Sequence, residues 1–371
     1  MIFLIRRIYL FPLLIIIFLV AYLTFRELQT EFSNSVQSNP GIVKIYAAGD
    51  IMLGRYLTEY LEQNGKDYFY PFKRAKNIFS GDGVVFGNLE GPITAQTKSL
   101  TGIERGGKYI LKNPVPALEA IKDCGFNLLS LANNHILDYY EAGLLETISL
   151  LEANNIAHAG AGRNLAAARK PAVIERGSLK VGLLSYTDMA EILYKGNPPY
   201  RFGAGDLKPG VNPRPPAFNE TIKKELKEAR GQVDLLMVSL HWGVEESFTV
   251  LKNQRDFAHR LVDNGADLIL GTHPHQFQGI EIYHGKPIIY SLGNFIFDQD
   301  DPENKESFIM KLLFEENKLV GMKGIPVKII NYQVVPVFGP EAAAQLEREK
   351  MLCRKLKTSC IIRNNQLIFE I

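Results

Sequence analysis

The sequence has only three cysteines, Cys124, Cys353 and Cys360, and no Cys-x-x-Cys pair. That argues against a structural zinc ribbon and excludes a closed disulfide framework, leaving open one bridge between Cys353 and Cys360. No charge of one sign dominates: 42 Lys+Arg face 40 Asp+Glu, a net of +2. A nucleic-acid-binding chain usually carries a concentrated basic surface, so this balance argues against nucleic acid as a partner. Phosphate-cradling and serine-nucleophile signatures are missing as well. There is no P-loop and no G-x-S-x-G. Gly160-Ala161-Gly162 lacks a third glycine, because Leu165 stands there, so it is not a dinucleotide fingerprint. No internal repeat or low-complexity tract is seen.

Long apolar runs are also scarce, with one exception. Ile8 to Phe25 (IYLFPLLIIIFLVAYLTF) carries no charge, follows Arg6-Arg7 and precedes Arg26-Glu27. Eighteen residues is the lower limit for crossing a bilayer and longer than most signal-peptide cores. The basic residues ahead of it favour a cytoplasmic N-terminus. The preferred reading is an uncleaved anchor over residues 1–26; a cleaved signal peptide and a buried helix are the alternatives. Residues 27–41 are polar and read as a tether. The expectation is a single-pass protein of the cell membrane with its main body outside the cytoplasm.

With 371 residues and 46% hydrophobic content, the chain has material for a large core. Beyond the tether, strand and helix patterns alternate. Strands are expected at Ile42–Ala48, Val84–Phe86 and Phe126–Leu131, with helices at 72–79, 114–124 and 141–153. This order predicts βαβ units and a parallel sheet, with functional groups at the carboxyl ends of the strands. The pattern then loosens into a hairpin at 171–186, a Pro/Gly-rich loop at 197–216, a helix at 218–230, a strand at 233–240 and a helix at 254–264. A strand at 267–270, a hairpin at 279–297, strands over 308–337, a charged helix at 340–357 and a last strand within 359–371 complete the chain. A parallel half followed by a hairpin-rich half suggests two packed sheets flanked by helices.

The strand ends carry the chemistry. Asp50 follows the first, Glu90 the second, Asn134-His135 the third, His241 the strand at 233–240, and His273-Pro274-His275 the strand at 267–270. Carboxylate, amide oxygen and imidazole together suit Mn, Fe, Zn or Ni-type ions. Each has an ordinary alternative. Asp50 and Asn134 can cap helices, Glu90 can be a solvated loop acid, and His241 beside Trp242 can be a packed core residue. All five at strand ends is the pattern of a centre holding one or two divalent ions. A two-ion centre can acidify water and clamp the oxygens of a phosphoryl group.

Five segments resemble one family: AAGDIMLGR at 47–55, GNLEGPIT at 87–94, LANNHILD at 131–138, LHWGVE at 240–245, and GTHPHQFQ with YSLGNFIFD within 271–298. They are similar to the CapA family of bacterial capsule and poly-γ-glutamate synthesis proteins. The resemblance covers about residues 43–300 and implies an α/β body, taken as 42–338, with the pattern adding a C-terminal helix and strand at 339–371. Through calcineurin-like metallophosphoesterases it implies a four-layer α/β/β/α sandwich. It implies Asp50 and His275 as ligands of a first ion, Glu90 in the bridging place, and Asn134, His241 and His273 as ligands of a second, with Mn, Fe or Zn as the ions. His135 matches the imidazole that protonates a leaving group, with Asp138 to orient it. Arg55, Glu245 and Asn294 match substrate or supporting contacts. The sequence departs from the superfamily's Asp-x-His motif at Met52, a poor ligand for such ions, and has Asn88 and Glu90 where an Asp usually bridges. The implied partners are the cytoplasmic membrane, membrane-embedded polymer synthase or export subunits, and an anionic polymer or phosphoester substrate. A domain that binds polymer without turnover, as part of a synthesis complex, is the competing reading.

Overall fold

A computed structural model describes residues 41–79, 81–100, 109–177, 179–191 and 201–371. The anchor expected over 1–26 and the tether up to residue 40 lie outside them. Among the described residues no helix is long and apolar enough to cross a membrane.

The chain is an α/β protein with two large mixed sheets. The first begins with β1 (Ile42–Ile51), β2 (Val84–Leu89), β3 (Leu128–Ser130) and β4 (Ala157–Ala159), adjacent and parallel in chain order. Between them run α1 (Arg55–Gln63), α2 (Ala117–Asp123) and α3 (Tyr140–Ala153). A short ribbon pairs β5 (Ala161–Gly162), followed by α4 (Leu165–Arg169), with a later strand, β8. The second sheet contains β6 (Ala172–Arg176) and β7 (Leu179–Thr187), the expected hairpin. After β8 (Gly210–Val211) and α5 (Glu220–Arg230) it gains β9 (Leu235–His241). After α6 (Lys252–Asp263) it gains β10 (Leu268–Thr272), β11 (Ile280–Tyr283) and β12 (Lys286–Ile289). Its order is β11-β12-β10-β9-β7-β6, with the central four strands parallel.

Period-two alternation sets the layers, because successive strand side chains point to opposite faces. Val43, Ile45 and Ala47 of β1 pack with Val181, Leu183, Leu235, Met237, Leu268 and Leu270 of the second sheet. Tyr46 and Ala48 face the other way, among Leu57 and Leu61 of α1, Ile121 of α2 and Leu144 of α3. On the far side of the second sheet, Leu236, Val238 and Ile269 pack with Ile222 and Leu226 of α5 and Phe257 and Leu261 of α6.

The segment expected as one hairpin at 279–297 divides between the sheets. β11 and β12 form the hairpin, but β13 (Asn294–Ile296) pairs parallel with β1 in the first sheet, Asp50 opposite Asn294. Residues 290–293 cross between the two. A Cβ on Gly271 would lie 1.9 Å from the Tyr290 carbonyl oxygen, and one on Gly49 would lie 1.7 Å from that of Gly293. Glycine at both positions lets the crossing segment touch the strand backbones.

Two other local readings change. The helix expected at 72–79 is two 3-10 turns, Tyr70–Phe72 and Lys76–Ile78. Phe72 and Phe79 both pack on Phe126 and Phe295, so aromatic contacts shape this stretch. The last strand is a hairpin, β17 (Cys360–Arg363) and β18 (Gln366–Phe369), turning on Asn364-Asn365 with φ of 51° and 57°. Asparagine tolerates the left-handed values that a tight hairpin turn needs. β14 (Glu306–Glu315), β15 (Lys318–Ile330) and β16 (Gln333–Pro336) extend the first sheet, and β18 pairs with β15.

α7 (Pro340–Lys355) closes the inter-sheet core through Ala342, Leu346 and Cys353. Cys353 and Cys360 are free, buried thiols. Cys353 Sγ donates to Glu349 Oε1 at 3.1 Å, and burial raises the Glu349 carboxyl well above its usual range. A carboxyl whose folded pKa is raised stabilises the protein fully below the unfolded value and loses that stability as pH rises toward the folded one. Glu349→Gln is therefore expected to stabilise the chain by about 1–3 kcal/mol at pH 7–8, with the gap closing near pH 4. Denaturant melts at both pH values check this; an equal gap at both would show that ionisation of Glu349 is not its source.

Candidate metal centre

The carboxyl ends of β1, β2 and β3 in one sheet meet those of β9 and β10 in the other. Ser130 Oγ and Ser185 Oγ link the sheets at 2.6 Å just below the centre. In register, Asp50 lies opposite Asn88, and His241 opposite Thr272. Strand pairing alone thus brings together groups from distant parts of the chain.

Asp50 is fully buried. Its Oδ1 accepts from Asn88 Nδ2 at 2.8 Å, and its Oδ2 accepts from the His273 N–H at 3.4 Å. Burial pushes its carboxyl up to about 7, against the lowering effect of those two donors. Glu90, equally buried, has its backbone N–H bound to the Ile51 carbonyl and its own carbonyl to Asn113 Nδ2. Asn113 also accepts the Leu53 N–H at 2.7 Å, so one amide ties the exits of β1 and β2 together.

His241 ends β9 with no exposure. Its Nε2 lies 2.8 Å from Asn134 Oδ1, and its Nδ1 lies 3.1 Å from Thr272 Oγ1 and 3.4 Å from Asn88 Nδ2. Burial drives its pKa well below the usual value, and the neighbouring His273, His275 and His135 add to this. His273 and His275 have φ of 97° and 59°, left-handed values that non-glycine residues rarely adopt. Such strain persists where surrounding contacts over-determine it, and it clusters at functional sites. Here the turn holds both imidazoles within the centre, their ring centroids 6.2 Å apart. Burial lowers His273 to about 3 and His275 to about 4, so both are neutral near pH 7. His273 Nδ1 is buried without a hydrogen-bond partner among the described residues.

Asn294 fixes the tautomer of His275. Its Nδ2 donates to Gln299 Oε1 and to the Asn304 carbonyl, so its Oδ1 must accept from His275 Nδ1 at 2.9 Å. The Nε2 lone pair of His275 is then open to a cation, as ligating histidines require. Asn294 has no exposure and lies behind His275, in a supporting place. His135 has a similar orienter: its Nδ1 lies 2.7 Å from Asp138 Oδ2, which also accepts the Leu111 N–H at 2.7 Å. His135 Nε2 points inward, 3.9 Å from Glu90 Oε1.

The residues present fit a divalent cation. Ligand atoms of Asp50, Glu90 and His241 lie within 4.8 Å of one another. Two ligands of one such ion, each bound at about 2.1 Å, can be up to about 4.2 Å apart, so small shifts suffice. Buried carboxylates among neutral imidazoles, one with an unpartnered nitrogen, are the donor set of Mn, Fe or Zn. The centre gathers Asp50, Glu90, Asn134, His135, Asp138, His241, His273 and His275. Arg55 sits at its edge, pairing with Asp298 at 3.2 Å. Glu245 is exposed beyond Trp242. Met52 is buried in the core between sheet and helices, its Sδ accepting the Gly54 N–H at 3.1 Å. Position 52 therefore supplies packing.

The sequence reading missed Thr272 and Asn113. Thr272 stands inside a motif already singled out, and its place opposite His241 follows once β9 and β10 are paired. Asn113 has no local signal, because its partners are 22 to 60 positions away.

Family comparison covers the same stretch of chain. Residues 44–299 match the model of the bacterial capsule synthesis protein PGA_cap. The chain belongs to this family. Family relatives include the PGA biosynthesis protein CapA of Bacillus subtilis (33% identity, 78% of this chain, 72% of the relative). The capsule biosynthesis protein CapA of Bacillus anthracis matches at 30%, over 78% of this chain and 68% of its own. A Mycobacterium tuberculosis protein named "Probable polyglutamine synthesis accessory protein" matches at 27%, over 78% and 86%. The matched stretch contains every residue of the centre, so the capsule synthesis family spans the region where the two sheets meet.

Proposed function

We propose that the protein is a metal-dependent phosphoester hydrolase of the metallophosphatase fold, serving synthesis of a capsular or poly-γ-glutamate polymer. It is held to the membrane by the apolar run at 8–25, with its body on the extracytoplasmic side and membrane-embedded synthase or export subunits as neighbours. The polymer assignment draws on the relatives' names. The hydrolase assignment rests on one observation above all: His135 is oriented by Asp138 beside two buried carboxylates and three neutral imidazoles.

Asp50, Glu90, Asn134, His241, His273 and His275 would hold one or two ions of Mn, Fe or Zn. When bound, such an ion supplies Lewis acidity toward a phosphoryl oxygen and lowers the pKa of water. Asp138 keeps the proton of His135 on Nδ1 when the ring is neutral. A protonated His135 carries a second proton on Nε2, the nitrogen facing the pocket, where it can be handed to a leaving oxygen. Burial of Asp50 and Glu90 keeps bulk water out of the centre and strengthens electrostatic interactions there.

The packing of Met52 into the core favours a second reading, in which the first ion site is weak and the domain holds polymer without cleaving it. Turnover of bis(p-nitrophenyl) phosphate and p-nitrophenyl phosphate by the full-length chain, chelated and then reloaded with Mn, separates the two. Hydrolysis that disappears on chelation and returns with Mn is expected. Bound metal without turnover of either ester would move the assignment to the polymer-binding role.

A further inference from the structure

The bridge left open between Cys353 and Cys360 has a built place in the fold. Cys353 lies in the last turn of α7, and Cys360 opens β17, opposite Phe369 of β18. Both thiols are buried in the inter-sheet core, Cys353 with no exposure and Cys360 with 5%. They touch each other: a thiol–thiol hydrogen bond raises the Cys353 pKa and lowers that of Cys360. Cys124 is the contrast. It sits among the helices on the other face of the first sheet, where burial raises its thiol.

The backbone around the pair is already fixed. The Cys353 carbonyl accepts from the Leu356 and Thr358 N–H groups, both at 3.0 Å, which turns the chain from helix toward strand. The same turn meets the second sheet. Cys353 Sγ accepts the Ile280 N–H at 3.3 Å, and Thr358 Oγ1 accepts the Ile282 N–H at 2.9 Å, so residues 353–358 cover β11, an edge strand. β17 is an edge strand of the first sheet. The two sulfurs therefore stand where α7 brings the edges of both sheets together. Buried cysteines in apolar surroundings are ordinarily inert packing. Here the contact gives each sulfur the other as a reaction partner. A disulfide asks the sulfurs to close to about 2.05 Å, while the turn between them is held by hydrogen bonds of its own.

We propose that Cys353 and Cys360 are a modification site, joined as a disulfide by exchange with a small-molecule disulfide, and that the bond staples α7 to the edge hairpin β17–β18. Neither residue belongs to the metal centre, so the inference stands apart from the hydrolase reading. The exchange runs in two balanced steps. Cys360 attacks first, being the more exposed thiol and the one that ionises more readily. Its thiolate bonds to one sulfur of the oxidant, the oxidant's S–S bond breaks, and one small thiolate leaves. Cys353 then loses its proton toward Glu349 Oε1, 3.1 Å away, and attacks Cys360 Sγ. The mixed disulfide breaks and the second small thiolate leaves. The protein loses two electrons and two protons, and the oxidant ends as two thiols.

The test equilibrates the full-length chain with oxidised glutathione, quenches exchange with acid, and counts free thiols in the unfolded chain by maleimide alkylation and mass spectrometry. Equilibration is repeated at temperatures up to the melting midpoint, so that local opening admits the reagent to the buried pair. Free thiols should fall from three to one, the survivor at Cys124, with residues 353 and 360 linked and no glutathione retained. Against the reduced chain, the oxidised one should melt about 3–8 °C higher, the gain of closing a short loop. Cys360→Ser should show no such rise, and Cys353→Ala takes its place if that variant does not fold. Three thiols surviving at every temperature, glutathione held on Cys360 as a stable mixed disulfide, or a bridge to Cys124 would overturn the site. Equal melting of the oxidised and reduced chains would overturn the staple. Ester turnover enters none of these readouts, so loss of the hydrolase reading would leave the pair untouched.

Discussion

Replacing His135 with alanine is expected to lower phosphodiester turnover by about 10²–10⁴-fold while the chain keeps its metal. The ring is buried, its Nδ1 is fixed by Asp138, and its Nε2 faces the carboxylate of Glu90. A group so placed carries, when protonated, a proton on Nε2 with a fixed direction for giving it. It lies within the centre, yet on the proposed reading a cation would be held by Asp50, Glu90, His241, His273 and His275 without it. The two readouts should therefore separate: metal content by elemental analysis stays near the wild-type value, and turnover falls. The loss should be largest for esters with poor leaving groups, which need the proton most. If both metal and turnover survive the change, His135 has no part in proton transfer. If both vanish, its role is to hold the centre together.

The second large effect is on the metal itself. His241→Ala combined with His273→Ala removes two imidazoles whose ring centroids are 4.8 Å apart, leaving mainly oxygen donors and His275. Changes to groups that only support a ligand commonly cost about 10–100-fold in metal affinity, so losing two ligands should exceed that. The wild-type chain should gain stability on adding Mn or Zn, about 2.7 kcal/mol at a hundred times Kd. In the double variant that gain should disappear. Calorimetric melts with and without metal measure it, with the metal-free midpoint of each protein as its own reference. A metal-induced rise of the same size in both would remove His241 and His273 from the centre.

Much of the centre was legible because strand ends are local features. The apolar run of β10 stops at Thr272, and the His-Pro-His segment begins there. The alternation of β1 stops near Asp50, as the burial of its neighbours requires. A period-two pattern with a polar exit needs only a few residues to declare itself, so Asp50, Glu90, Asn134, His135, His241, His273 and His275 could be placed from sequence. The helix α1, by contrast, was not expected; it starts at Arg55 with φ of 53°, where Arg55 pairs with Asp298 and Gly54 lies against the Lys112 carbonyl. The two turns around Phe72 and Phe79 were misread for the same reason. Their form depends on Phe126 and Phe295, far along the chain.

By itself the sequence determined the α/β alternation, the family, and which side chains stand at the carboxyl ends of the strands, because each follows from short-range pattern and motif. Only the tertiary structure decided how those side chains are held. His241 meets Asn134 across 107 positions, and Asp50 meets His273 across 223. The passage of residues 290–293 from one sheet to the other, the burial of Met52 in the core and the support of His275 by Asn294 all depend on such distant contacts. Hydrogen bonds and packing between segments far apart leave no periodic trace in the sequence, so they exist as information only once the two sheets are laid face to face.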